Sequence, residues 1–233
     1  MRVPRRPRSR PGILALTLML PGAALLGVAV GKARFDVEVA TMTTEATTHL
    51  GVGPHVGFAS ALGLFAWAAA SGAALLGASL LTRSGRPREV GLLRAVAALT
   101  LFLLLDDAFT VHEAVLPAIG IPEILTYTVL VGVTAAILLR HVREILAGPW
   151  TLLLAALILL GGSVVWDVVT QHLDGVGLGY NIEVFVEDGL KLFGIAFWTA
   201  WVGAQAHDAV RARFDAAGAT PGSPHLPSSA PGN

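Results

Sequence analysis

The chain contains no cysteine, which excludes disulfides, thiolate metal centres and cysteine nucleophiles and leaves only oxygen and imidazole groups as metal ligands. Charge is scarce too: Asp, Glu, Lys and Arg make up 14% of the 233 residues, where a soluble domain needs about a quarter. With 54% hydrophobic residues and a mean hydropathy of +0.68, the polar surface of a water-soluble fold is missing, and the solvent implied is lipid. A formal net charge of zero argues against a polyanionic partner such as nucleic acid. The H-E-x-x-H zinc helix, the E-x-x-H diiron pair, the P-loop and the G-x-G-x-x-G dinucleotide turn are all absent. Ser60 and Ser163 lie in apolar runs with no base beside them, so a serine nucleophile has no support.

What the chain does have is long apolar runs, and these predict an all-α polytopic membrane bundle of about six spans. Arg2, Arg5, Arg6, Arg8 and Arg10 precede the first run, Ile13 to Val30; it reads as a retained span, with cleavage of a signal peptide at Ala29-Val30-Gly31 as the alternative. The second run, Val56 to Leu81, is rich in Ala, Gly and Ser, which let helices approach closely in lipid. The third starts near Val90 and the fourth covers Ile121 to Arg140. After the Gly148-Pro149 break come a fifth, from Trp150 to between Asp167 and His172, and a sixth, Ile182 to Ala206. The polar stretch 31–54 reads as an external loop or a surface helix. The expected organisation is a basic cytoplasmic segment 1–12, a membrane domain 13–207 and a disordered Ala/Gly/Pro/Ser-rich tail 208–233.

Basic residues set the orientation. They crowd the N-terminus, the second loop (Arg83, Arg86, Arg88, Arg94), the fourth loop (Arg140, Arg143) and the C-terminal flank (Arg211, Arg213). The third and fifth loops have none, and only Lys32 and Arg34 in the first loop run against the pattern. Both termini are therefore expected in the cytoplasm, with the protein in the cell (inner) membrane.

On that topology the costly polar residues collect at the outer ends of spans three to six: Asp106, Asp107, His112, Glu113, Glu123, Asp167, His172, Glu183, Glu187 and Asp188. The uninterrupted runs Ala95–Leu105, Leu152–Trp166 and Leu192–Ala206 fall short of the roughly 20 residues that cross a bilayer. The first carboxylates are thus expected inside the outer boundary, as an outward-opening polar cup. Asp107-x2-Thr110-x-His112-x10-Glu123 also recurs sixty residues later as Asp167-x2-Thr170-x-His172-x10-Glu183, which suggests two parallel helical hairpins related by an internal repeat.

Helical phase limits how these groups can meet. Asp107 and His112 lie about 140° apart on an ideal helix and share an ion only if the helix ends or loosens between them. Asp106, Thr110 and Glu113 form one stripe, and Glu183, Glu187 and Lys191 form another. Lys191, the one lysine inside a span, is expected to pair with Glu187 or Asp188, and Trp198 and Trp201 to pack toward the inner side.

The stretch DD-x4-HE-x3-P, followed by IPE and then by VEDGLKLFGI, resembles a group of uncharacterised bacterial multi-pass membrane proteins carrying DD…HE and ED-x2-K-x2-G patterns; the likeness covers spans three to six and implies no assigned activity. The recessed site is also similar in theme to the alkaline ceramidase-like membrane hydrolases, but their paired late histidines have no counterpart here. Two functions are expected. One is a metal-dependent membrane hydrolase acting on a lipid or an externally delivered small molecule. It would hold divalent zinc, manganese or iron on Asp106, Asp107, His112, Asp167, His172 and Glu183, with Glu113, Glu187, Asp188 and Lys191 as candidate catalytic groups. The other is an ion- or proton-coupled transporter, or an ion-responsive membrane protein, in which the same carboxylates carry protons or cations.

Overall fold

The computed structural model describes residues 11–43, 50–53, 56–82, 85–172 and 180–218. They form helices and no strand: α1 (Pro11–Phe35), α2 (Val39–Thr43), α3 (Phe58–Leu81), α4 (Pro87–Phe109), α5 (Leu116–Ala118), α6 (Glu123–Arg140), α7 (Val142–Leu146), α8 (Trp150–His172) and α9 (Tyr180–Gly218), with a turn of π-helix at Val111–Val115 between α4 and α5. Each of the six apolar runs is helical, and the fold is all-α. Three of the helices, α3, α6 and α8, are long and apolar enough among the described residues to cross a membrane.

The chain divides into two compact units, 1–58 and 59–233. In the first, α1 carries Lys32, whose ammonium meets Asp36 at 2.6 Å one turn on. The polar stretch 31–54, expected as an external loop or a surface helix, is partly helical among its described residues: α1 runs on to Phe35, and α2 follows after three residues.

The second unit is built on a stripe of small residues. In α3, Gly63, Trp67, Ala70, Ser71, Ala74, Gly77, Ala78 and Leu81 are the buried positions, spaced three and four apart. A Cβ on Gly77 would stand 3.0 Å from the Ala206 methyl of α9, so the contact depends on the missing side chain. Against this stripe pack Leu92, Leu93, Val96 and Thr100 of α4 and Ile195, Trp198, Trp201 and Val202 of α9. Trp67, Trp198 and Trp201 stack edge to face through the centre, with ring centroids 6.1 and 5.2 Å apart. Trp198 donates its indole N–H to Thr100 Oγ1 at 3.0 Å, so a polar atom in this dry core is satisfied. Trp198 and Trp201 thus pack, as expected.

Helices α8 and α9 form an antiparallel hairpin: the Trp166 indole N–H reaches the Glu183 carbonyl at 3.0 Å, and further along a Cβ on Gly194 would stand 2.7 Å from Leu160. Helix α6, in contrast, buries none of its residues. Beyond His207, where the tail was expected to lose structure, α9 continues to Gly218, because the 208–218 segment carries helix-compatible Ala, Arg and Asp before the Pro-rich end; residues 219–233 lie outside the described set.

Candidate functional site

The polar site begins where α4 stops. Phe109 is its last residue, and Thr110 turns left-handed at φ 47°, ψ 45°, a conformation strained for a β-branched side chain. Its N–H still reaches the Asp106 carbonyl, after which one π turn follows. The break resolves the helical-phase conflict, and the carboxylate it brings to His112 is Asp106 rather than Asp107. Asp106 Oδ1 accepts the His112 backbone N–H at 2.9 Å, and Oδ2 lies 2.6 Å from His112 Nδ1. The two side chains are only 6% and 9% exposed, so a charged pair with a full set of bonds stands in place of two buried, unmatched groups.

The other ring nitrogen, Nε2, faces Glu113 Oε1 at 3.3 Å and Glu123 Oε1 at 3.9 Å. Glu123 opens α6, and one turn further on the Tyr127 hydroxyl donates to Glu123 Oε1 at 2.9 Å, with Asp167 Oδ2 of α8 as a second acceptor at 3.4 Å. The Tyr127 ring also lies against the imidazole, centroid to centroid 5.2 Å. In the turn between α4 and α6, the Asp106 hydrogen bond, aided by Glu113 and opposed by burial, pushes the His112 imidazole up to about 10, and the hydrogen bond from His112 pulls the Glu113 carboxyl below its ordinary range against the effect of burial. At neutral pH this end of the molecule therefore holds an imidazolium among carboxylates.

Asp107 belongs to a second group. Lys191 of α9 meets Asp107 Oδ1 at 2.8 Å, and Trp67 of α3 donates its indole N–H to Oδ2 at 2.8 Å. The expected pairing of Lys191 with Glu187 or Asp188 is not the one formed. Spacing along α9 favours those neighbours, but the packing of α9 against α4 brings Asp107 to within 2.8 Å of the ammonium. Asp188 lines, with Lys191 and Ser60, a cavity of about 70 Å³ beside this pair, room for a water or two.

Of the residues expected to act together, the structure joins Asp106, His112, Glu113 and Glu123, brings Asp167 to them through Tyr127, and pairs Asp107 with Lys191 close enough for the ammonium to act on Glu113. Glu183 sits in the first turn of α9, its carbonyl taken by Trp166. The side chain of His172 lies outside the described residues. Of the residue pairs in the expected repeat, Glu123 and Glu183 both fall in the first turn of a helix. Thr110 and Thr170 differ: Thr110 breaks its helix, while Thr170 continues one, its hydroxyl donating to the Trp166 and Asp167 carbonyls at 3.0 Å.

Among the described residues, no three His, Asp or Glu side chains converge as a metal-ligand set. Asp106 is committed to His112 and Asp107 to an ammonium and an indole. Two participants were not foreseen. Tyr127 could have been found from its place one helical turn after Glu123; Trp67, forty residues from Asp107, leaves no local signal.

Comparison with curated proteins and with solved structures returns no match. A family model, described as a domain of unknown function (DUF8692), matches residues 13–204, and the chain belongs to that family.

Proposed function

We propose that this is a multi-pass protein of the cell (inner) membrane, with six spans and both termini cytoplasmic, that responds to protons through the cluster at the outer ends of α4, α6 and α8. The observation that carries the reading is the succession of proton-binding groups Asp106, His112, Glu123, Tyr127 and Asp167 across three helices, hydrogen-bonded at every step but one, His112 to Glu123, which meet as an ion pair at 3.9 Å. A hydroxyl between two carboxylates is a relay: Tyr127 accepts a proton from protonated Glu123 as it gives its own to Asp167, and remains neutral. Protonation of any member changes the attraction between helices of which α6 is held on the core only by partly buried residues such as Leu130 and Ile137.

The dry layer of Trp67, Trp198, Trp201, Leu92 and Leu93 argues for a responsive protein over a conducting one, because a conducting path needs polar groups through to the cytoplasmic side. Nitrogen NMR of histidine-labelled protein in lipid nanodiscs tests the reading. The His112 ring should stay doubly protonated well above pH 7 and should change its titration in Tyr127→Phe and Glu123→Gln. An imidazole that titrates near 6.5 and ignores both substitutions would overturn it. Stoichiometric zinc, manganese or iron in carefully purified protein would instead favour the metal-dependent hydrolase.

A further inference from the structure

At the opposite end of α4 and α6 from the polar cluster lies a cavity of about 1020 Å³, at the upper end of the range for small-ligand sites. From Gly91 in its wall to Asp106 is fifteen residues of α4, about 22 Å at helical rise. Its two ends differ in chemistry. The wall between the helices is apolar, with Ala95 of α4 facing Ala136 and Ile137 of α6. The mouth carries Arg88, Arg140 and Arg143, against the single carboxylate of Glu144.

Two observations say what belongs there. The first is charge. Arg86 is taken by Glu89 at 3.3 Å, and Glu144 leans toward His141 at 4.0 Å, whereas Arg88, Arg140 and Arg143 form no ion pair with any described residue. His141, in the link between α6 and α7, is held below its ordinary value by burial, so it adds no charge to the basic rim at pH 7. Guanidinium forks suit phosphate, which they bind through paired N–H groups. The second is the gap itself. Small residues line the α4 side, α6 buries none of its own, and space of this size between two helices in a bilayer forfeits dispersion contacts unless something apolar fills it.

We infer that the α4–α6 cavity is a binding site for an anionic phospholipid, its headgroup phosphate held by Arg88, Arg140 and Arg143 and one acyl chain lying along Ala95, Ala136 and Ile137. The basic mouth falls on the side that the distribution of arginines assigns to the cytoplasm, where anionic lipids meet basic pockets between helices. An acyl chain in the gap would set the spacing of the two helices that carry Asp106 and Glu123 at their other ends.

The inference rests on the membrane reading, so the test begins with carbonate extraction of membranes: a chain released by carbonate overturns both. For a chain that is retained, the purified full-length protein in mild detergent is titrated with dioleoyl phosphatidylglycerol, dioleoyl phosphatidylcholine and glycerol 3-phosphate, with occupancy read by native mass spectrometry. Phosphatidylglycerol should bind at least tenfold more tightly than phosphatidylcholine, and glycerol 3-phosphate should not displace it at equal concentration. The exposed double variant R140Q/R143Q, which leaves the core untouched, should bind phosphatidylglycerol roughly 30-fold more weakly. Ala136→Phe should exclude both lipids. Equal affinity for the two lipids, displacement by glycerol 3-phosphate, or unchanged binding by R140Q/R143Q would each refute the site while leaving the membrane reading intact.

Discussion

Replacing His112 with Ala removes one member of a pair whose side chains are 9% and 6% exposed. Asp106 would keep only the His112 backbone N–H, at 2.9 Å, and would lose the imidazolium at 2.6 Å. An uncompensated buried carboxylate costs about 3–5 kcal/mol. For a chain of this length that corresponds to a fall in Tm of roughly 6–20 °C. Asp106→Asn retains an acceptor for the backbone N–H and loses only the charge-assisted bond, so its cost should be smaller, about 1.5–3 kcal/mol. The double variant should cost less than the sum of the two, because each single change already removes the shared interaction. The pH dependence fixes the cause. His112 is raised in the folded protein to about 10, so its contribution is complete below the unfolded imidazole value of 6.5 and fades as pH rises from there toward 10. Thermal unfolding in nanodiscs should therefore show a wide gap between wild type and H112A at pH 6 that narrows by pH 10. Glu113 has the opposite sign: its lowered carboxyl stabilises the fold above pH 4.5 and loses that effect as pH falls below it. A gap that is absent at pH 6, or unchanged at pH 10, would refute the buried pair.

Three further outcomes are expected. Lys191→Met leaves Asp107, 14% exposed, with only the Trp67 indole as partner and should destabilise by about 1–3 kcal/mol, with K191M/D107N recovering part of the loss in the same melts. Gly194→Ala puts a methyl 2.7 Å from Leu160 Cγ and 3.0 Å from its backbone nitrogen, which cannot give way, and should cost about 1–3 kcal/mol through the α8–α9 contact. A reporter inserted at Gly120 should behave as external and one fused after Gly218 as cytoplasmic; the reverse would place the polar cluster on the other face of the membrane.

Helix positions were legible because each follows from an apolar run and a breaker, as at Gly148-Pro149, and neither depends on distant packing. The neighbourhood of the site was legible for a related reason: Asp106, Asp107, His112 and Glu113 are too costly beside a span to be there without partners. The partners themselves were not. Pairing Asp106 with His112 requires the left-handed Thr110, and nothing in the residue types favours that conformation at a threonine. Lys191 was assigned to its own helix because spacing along a helix is all that sequence offers, while the choice of Asp107 is made by the packing of α9 against α4. The tail boundary was placed too early because the composition of 219–233 coloured the helical residues before it.

The break at Thr110 also makes the site sensitive to counting rather than to chemistry. Within a regular helix, substituting a residue leaves every neighbour's direction unchanged, and at 108–111 the same holds: Ala108, Phe109 and Val111 place no polar group in the cluster, so their identities are free within the limits of shape. Adding or removing one residue there is different, since it turns everything downstream by about 100° and carries His112 away from Asp106. Apart from Thr110, whose left-handed backbone limits what can replace it, variation in this short stretch should therefore be generous in residue type and strict in length, the reverse of what an ordinary connecting loop permits.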